Sequence, residues 1–215
     1  MPRSDNAHRR RYHAPARAAA AARTREKVLL SAKLTFEERG WAGATIPLIA
    51  RRAGVAHQTV EALGTKAVLL EAVVDFAIRG DVGSVPMRLR DVVRAMEDAP
   101  GASPMLDLHA AQVRSVSERS AGTAWAVEHG ASSDRRVARL WRRMTENRRF
   151  GVRWAAATLL TKPDAPPGCE QAYAENVFWL ALDWGTYRTL TRDRGLDPDG
   201  FEGWLRTYYR QMFGA

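Results

Sequence analysis

The chain has 215 residues, of which 46% are hydrophobic, and it carries a formal net charge of +9 with an isoelectric point near 10.4. This length allows one large domain or a small domain joined to a medium one. The net positive charge favours an anionic partner such as nucleic acid. Cys169 is the only cysteine, which excludes an intrachain disulfide and a cysteine-rich zinc site and suits a reducing cytoplasm.

The N-terminal segment, residues 1–23, is predicted to be a disordered basic arm. It contains three consecutive arginines, Arg9–Arg11, and shows no apolar periodicity. Its alanine tract, Ala18–Ala22, is too short for a signal-peptide core, and an organellar transit peptide is the alternative for this composition. Since no stretch approaches the ~18 apolar residues that a membrane span needs, we expect a cytoplasmic protein without a membrane partner.

Residues 24–81 predict a small helical domain that contains a helix-turn-helix. The first helix runs from Thr24 to Arg39, where Gly40 ends it. Thr45 is a good N-cap for a second helix, and Gly54 is a good stop, because glycine adopts the left-handed conformation without a steric penalty. A third short helix then runs from Ala56 to about Leu63, which completes the pattern of helix, glycine turn and helix.

The rest of the chain, residues 82–215, is predicted to form a larger helical domain. Because the sequence shows no strand pattern, the predicted fold class is all-α. A helix from Thr65 to Gly80 links the two domains, and Asp134 is a clear N-cap within the second. The further helices are predicted at Leu89–Glu97, Met105–Arg119, Ala121–Gly130, Asp134–Thr161, Glu170–Arg194 and Pro198–Phe213, with a loop at Lys162–Gly168.

The N-terminal half resembles the TetR family of transcriptional regulators. The resemblance runs through TREKVLLSAKLTFEERGWAGATIPLIARRAGV, then Thr59 and Val60, then GTKAVLLEAV, and the stretch ENVFWLALDWGTYRTLTRDRGLDPDGFEGWL is similar to the final helices of many members. It implies a homodimer that presents a recognition helix of each subunit to the major groove of operator DNA. It also implies that a small-molecule effector binds in the larger domain.

On this resemblance, base-reading positions lie at the start of the third helix, where Gln58 can bond adenine and His57 can donate to a base or a phosphate. Thr45 and Lys66 match phosphate-contacting positions of the family. The predicted DNA-binding residues are Thr45, Ala56, His57, Gln58, Thr59, Glu61 and Lys66.

Two features of the recognition helix depart from the family pattern. Glu61 stands where an aromatic residue, commonly Tyr, contacts a phosphate, and the helix is one residue shorter. Ala56 replaces the usual Ser cap. We therefore expect weaker DNA binding than in typical relatives, or binding that relies on the Arg9–Arg11 arm.

The larger domain offers a candidate ligand pocket and a candidate dimer interface, and for both sets plain burial in the core is the alternative. The pocket set is Met105, His109, Trp125, Trp141, Met144 and Trp154. The dimer set is Phe178, Trp179, Leu182, Tyr187 and Leu190. Arginines recur at helical spacing after Asp134, and this pattern favours a solvated helix face over a second nucleic-acid surface. The arginines are Arg135, Arg136, Arg139, Arg142, Arg143, Arg149 and Arg153.

No catalytic, metal-binding or cofactor-binding pattern occurs in the sequence, so we expect neither an enzyme nor a cofactor. The sequence predicts an all-α TetR-type regulator, a repressor that a small-molecule ligand releases from its operator. The alternative is a TetR-fold module that binds a small molecule or a protein and has lost specific DNA binding.

Overall fold

The computed structural model describes residues 5–80 and 90–214, with side chains from residue 17 onward, and it contains no strand in these ranges. The chain forms two compact units, unit 1 (Met1–Val73) and unit 2 (Val74–Ala215). The helices are α1 (Asp5–Gly43), α2 (Ile46–Ala53), α3 (His57–Glu61), α4 (Lys66–Arg79), α5 (Asp91–Glu97), α6 (Ala102–Gly130), α7 (Arg135–Leu160), α8 (Gln171–Ala181), α9 (Trp184–Arg188), a π-helical continuation at Thr189–Asp193, and α10 (Pro198–Phe213). The all-α prediction is therefore confirmed.

Helix α1 begins earlier than predicted. Its regular course is interrupted at Gly40, whose φ of 65° lies outside the helical region, so the predicted stop is confirmed. Residues 5–23, predicted as a disordered arm, belong to this helix, while residues 1–4 lie outside the described residues. The alanine tract Ala18–Ala22 accounts for the difference, because alanine has the highest helix propensity.

Unit 1 closes around a small apolar core that α1, α2 and α3 supply. Phe36 of α1, Ile49 of α2 and Val60 of α3 are fully buried, and Val28 and Ala32 continue the buried face of α1. These positions follow the helical periodicity of the sequence, which places them on one face of each helix.

The boundary between the two compact units falls within α4, and the division into domains after residue 81 remains a prediction. The second half of α4 is held by residues of unit 2. Arg119 donates to the carbonyls of Ala77 and Ile78, both at 3.2 Å, and Arg90 donates to the carbonyl of Arg79 at 2.9 Å. These guanidinium groups satisfy carbonyls at the C-terminus of the helix, where cations are favoured.

Two predicted boundaries in unit 2 are wrong. Helix α6 is continuous where the sequence predicts two helices, and the Ser120 hydroxyl donates to the Val116 carbonyl at 2.7 Å within it. The predicted helix Glu170–Arg194 is divided, because the Asp183 carboxylate accepts from the amide of Thr186 at 2.8 Å and caps a new helix, α9. By contrast, the Asp134 cap, the following loop and the bounds of α10 agree with the sequence.

The core of unit 2 is aromatic where α6, α8 and α10 meet. Phe178 lies 5.5 Å from Tyr209 and 5.5 Å from Phe213, measured between ring centroids, and Phe201 lies 4.8 Å from Tyr187. Helix α7 packs against α6 and α8, which leaves its arginine-rich side outward.

Candidate nucleic-acid interface

Helix α2 has the cap and stop that a helix-turn-helix requires. The Thr45 hydroxyl accepts from the amide of Leu48 at 3.3 Å. Gly54 has a φ of 60°, and its amide donates to the carbonyl of Arg51 at 3.2 Å. A bidentate pair between Arg52 and Glu38, with both N···O distances at 2.7 Å, ties α2 to α1 and lowers the pKa of the Glu38 carboxyl. The turn therefore leads into α3 from a fixed helix.

Helix α3 is short and exposes its predicted reading residues. Val60 is buried against the core, whereas Gln58 is exposed and His57 and Thr59 are partly exposed. Ala56 lies in extended backbone before the helix and supplies no side-chain cap. Since the outward residues stand at the N-terminal end of α3, they have the arrangement that reads base edges in the major groove.

The carboxylate of Glu61 is engaged within α3. It lies 3.1 Å from Nδ1 of His57, one helical turn earlier, and the two side chains are 56% and 42% exposed. This i, i+4 contact engages the carboxylate that Glu61 brings to the helix. Both residues are among the predicted DNA-binding residues, but their pairing was not predicted from the sequence.

Lys66 holds the end of α1. Its ammonium donates to the carbonyls of Trp41 at 2.7 Å and Ala44 at 3.1 Å, and it lies 4.0 Å from the centre of the Trp41 ring. The structure thus gives Lys66 a structural role that the sequence does not indicate. The predicted phosphate contacts of Lys66 and of the exposed Thr45 remain predictions.

The six residues of the predicted ligand pocket differ in burial. Met105, His109 and Met144 are buried. Nδ1 of His109 forms a hydrogen bond of 2.7 Å with the hydroxyl of Tyr209, and the centre of its ring lies 4.7 Å from that of Phe178. Burial lowers the pKa of His109 to about 3, so this imidazole is neutral. For these three residues the alternative of plain core is the better description.

The three tryptophans of the same set lie in separate environments. Trp125 packs 4.6 Å from the His129 ring, Trp141 lies 6.0 Å from the Trp184 ring, and Trp154 donates to Glu97 at 3.1 Å. Aromatic residues at helical spacing indicate burial but do not tell which of them face each other, so a common pocket of these residues remains a prediction.

The predicted dimer residues divide by burial. Phe178 and Tyr187 belong to the core of unit 2, as the alternative interpretation has it, and Leu182 and Leu190 are partly buried against that core. The guanidinium of Arg148 lies 3.8 Å from the centre of the Trp179 ring and covers it. None of the five presents a freely exposed apolar side chain.

Two apolar side chains that do face outward lie on the paired helices α7 and α8. Phe150 is 66% exposed and Leu180 is 56% exposed. The sequence analysis does not include them in an interface. Their signal is weak because Phe150 stands among arginines and Leu180 stands beside the buried Ala181.

The arginines of α7 form a solvated side, as predicted. All seven of the predicted set, Arg135, Arg136, Arg139, Arg142, Arg143, Arg149 and Arg153, are exposed. Arg148, which lies on the opposite side, instead pairs with Asp183 at 3.0 Å with its side chain only 9% exposed. Among the described residues no group of three or more His, Cys, Asp or Glu could hold a metal ion, and no described helix is long and apolar enough to cross a membrane.

The fold is similar to those of transcriptional regulators of known structure. One, from Rhodococcus sp. Rha1, has a TM-score of 0.59 and 16% identity, and the match covers 88% of this chain and 96% of that one. A second, a candidate transcriptional regulator from Pseudomonas aeruginosa PAO1, has a TM-score of 0.60 and 14% identity, with 89% and 90% of the chains covered. No protein-family model matches the sequence, and the comparison with curated proteins gives no relative. At these identities the likeness concerns the fold.

Proposed function

We propose that this protein is a TetR-type DNA-binding transcriptional regulator that acts as a repressor. The observation that carries the proposal is the geometry of unit 1, in which a capped α2, a left-handed Gly54 and an outward-facing Gln58 follow one another. The fold likeness to transcriptional regulators supports it. In this role α3 reads base edges, and the N-terminal amides of α2 and α4 face phosphates.

A fluorescence anisotropy titration against the DNA that flanks the protein's own gene tests the proposal. We expect sequence-dependent binding that weakens as salt rises, because phosphate contacts release counterions. Gln58→Ala should weaken specific binding by a factor of about 5 to 150, which corresponds to the ~1–3 kcal/mol of one bidentate base contact. Gln211→Ala, an exposed glutamine of α10, is the matched control. Equal affinity for the two variants would contradict base reading by α3.

The basic N-terminal segment is the second part of the DNA-binding proposal. Deletion of residues 1–20 should reduce the slope of log affinity against log salt by about one unit for each phosphate that the segment neutralises. An unchanged slope would exclude Arg9–Arg11 from the interface and leave binding to unit 1 alone.

The proposed regulator is a homodimer that buries the second half of α7, around Phe150, and the end of α8, around Leu180. Phe150 and Leu180 are large apolar side chains that are more than half exposed, and Arg153 and Glu175, 4.0 Å apart, lie on the same two helices. Burial of such side chains is favourable at about 25 cal/mol per Å² of apolar surface. Leu180→Glu should shift sedimentation from dimer to monomer, whereas Leu34→Glu, at 44% exposure on α1, should leave it unchanged. A monomeric starting protein would refute this interface.

Release by a small-molecule effector completes the proposal. A ligand that prefers a conformation of low DNA affinity weakens DNA binding by the same factor by which DNA weakens ligand binding. Binding of such an effector to unit 2 should lower the affinity for the operator in the anisotropy titration.

A second candidate function is a small-molecule or protein-interaction module of the same fold without specific DNA binding. The short α3 favours it, and so does Glu61, whose carboxylate is more than half exposed on the helix that would enter the groove. The titration separates the two candidates. Binding that is equal for operator and random DNA would favour this module, and sequence-dependent binding would reject it.

A further inference from the structure

A basic groove lies along the first half of α7, on a side that the packing of unit 2 leaves open. Its lining consists of Ala131, Arg135, Ala138, Arg139, Trp141 and Arg142. It involves none of the unit 1 residues on which the proposed DNA-binding role depends. A function of this basic groove and the DNA-binding role can therefore be tested independently.

The three arginines of this basic groove share one face of α7. Arg135, Arg139 and Arg142 follow the spacing i, i+4 and i+7, which places their side chains in one row. All three are exposed, and within the described residues none of them forms an ion pair or a side-chain hydrogen bond. Elsewhere in unit 2, in contrast, Arg114 pairs with Asp199 at 2.8 Å and Arg206 pairs with Asp107 at 2.9 Å. The row therefore concentrates uncompensated positive charge.

The floor of the basic groove is apolar. Ala131 and Ala138 provide small side chains, and Trp141 is partly buried, with its ring 6.0 Å from that of Trp184. The nearest acidic side chain in sequence, Asp134, accepts from the amides of Arg136 at 2.7 Å and Val137 at 3.3 Å. Because Asp134 occupies these amides, a bound anion would be held by the guanidinium groups and not by the helix terminus.

From this arrangement we infer that the basic groove binds an organic polyanion of the nucleoside polyphosphate class, with its ring on the Ala131, Ala138 and Trp141 floor and its phosphates on the arginines. Guanidinium groups match phosphate oxygens in a bidentate manner. The row from Arg135 to Arg142 spans about 10 Å along the helix axis, which is enough for several phosphate groups. An indole beside the arginines adds a surface on which a base can stack.

Isothermal titration calorimetry of the full chain with ATP, inorganic tripolyphosphate and adenosine, in magnesium-free buffer at physiological salt, tests this inference. ATP should bind about fivefold or more tightly than tripolyphosphate, since stacking of one base is worth ~1–3 kcal/mol. Adenosine should show no measurable binding, because it lacks the charges that the arginines recognise. Tripolyphosphate that binds as tightly as ATP would overturn the inference by removing any role for the apolar floor, and so would the absence of ATP binding.

Two matched variants on the same helix test the location. Arg139→Gln removes the central arginine of the row and should weaken ATP binding about tenfold or more, because a hydrogen bond to a charged group contributes ~1.5–3 kcal/mol. Arg136→Gln removes the same charge from an exposed arginine that does not line the groove, so screening by salt should keep its effect below about twofold. Equal losses for both variants would overturn the assignment, since they would indicate a diffuse positive surface. Operator binding by Arg139→Gln should be measured in parallel without ATP. If the DNA-binding proposal fails, the failure will appear in this measurement, independently of the ATP titration.

Discussion

The buried imidazole of His109 predicts a specific acid sensitivity of unit 2. His109 is 4% exposed, its Nδ1 lies 2.7 Å from the hydroxyl of Tyr209, and burial lowers its pKa from 6.5 to about 3. In the folded protein the ring therefore stays neutral down to about pH 3, while in the unfolded chain it takes up a proton below about pH 6.5. The unfolded state then binds more protons, and stability falls as the pH decreases through this window.

The size of the effect follows from the two pKa values. Each pKa unit corresponds to about 1.36 kcal/mol, so at pH 5, some 1.5 units below the unfolded value, the loss from this residue is about 2 kcal/mol relative to pH 8. The loss should begin near pH 6.5 and grow steadily toward pH 3. Urea unfolding at pH 8, 7, 6 and 5 measures it, and tryptophan fluorescence reports unit 2, which holds every tryptophan except Trp41.

His109→Gln isolates the contribution. The glutamine amide does not titrate and still offers a hydrogen-bonding group to Tyr209, so the drop in unfolding free energy between pH 8 and pH 5 should be about 2 kcal/mol smaller than in the wild type. His129→Gln removes an exposed imidazole and is the matched control. If the wild type and His109→Gln lose the same free energy over this range, the reasoning from burial is refuted.

Two further substitutions probe contacts that fix local structure. Thr45→Ala should destabilise unit 1 by about 1 kcal/mol in thermal denaturation, because the amide of Leu48 loses its acceptor. Thr45→Ser should keep the cap. Equal melting temperatures of the two variants would contradict the capping role. Lys162→Met should cost about 2 kcal/mol or more in urea unfolding, since the carbonyls of Glu97 and Ala99 would lose a buried ammonium at 2.6 and 3.0 Å. Lys33→Met, which breaks a partly buried i, i+4 pair with Glu37, should cost about 0.5 kcal/mol or less. A similar loss for both lysines would show that the carbonyl contacts of Lys162 add no stability.

The helix-turn-helix could be predicted from the sequence because its signals are local. The cap at Thr45, the stop at Gly54 and the buried Ile49 depend on residues within a few positions of one another. The same holds for Asp134 at the start of α7. Local chemistry fixes these features whatever the rest of the chain does.

The contacts that the sequence could not predict join distant segments. The partners of Lys66, the carbonyls of Trp41 and Ala44, precede it by more than twenty residues, and no periodicity links them. Asp183 caps α9 locally, but its pairing with the guanidinium of Arg148 joins it to another helix. Helix propensity alone favours continuing the helix at such a site, and tertiary contacts override it.

The ligand pocket could not be located from the sequence, because apolar composition does not separate core from cavity. Met105 and Trp154 both fit an apolar pocket by residue type, yet one is fully buried and the other bonds Glu97 at the edge of the unit. Only the position of every neighbour decides whether a space remains between such side chains.

The arginines of α7 show where charge becomes informative once the fold is known. By residue type alone Arg148 and Arg142 are equivalent, but helical periodicity places Arg148 on the same side as the buried Met144 and Val152. There it pairs with Asp183 and stacks on Trp179, so its charge is already engaged within the fold. Arg142 has no such partner among the described residues, so its charge is exposed and not compensated by an ion pair there. A net charge of +9 therefore says less about partners than the few arginines that the fold leaves uncompensated, because only these can attract an anion without first breaking an internal ion pair.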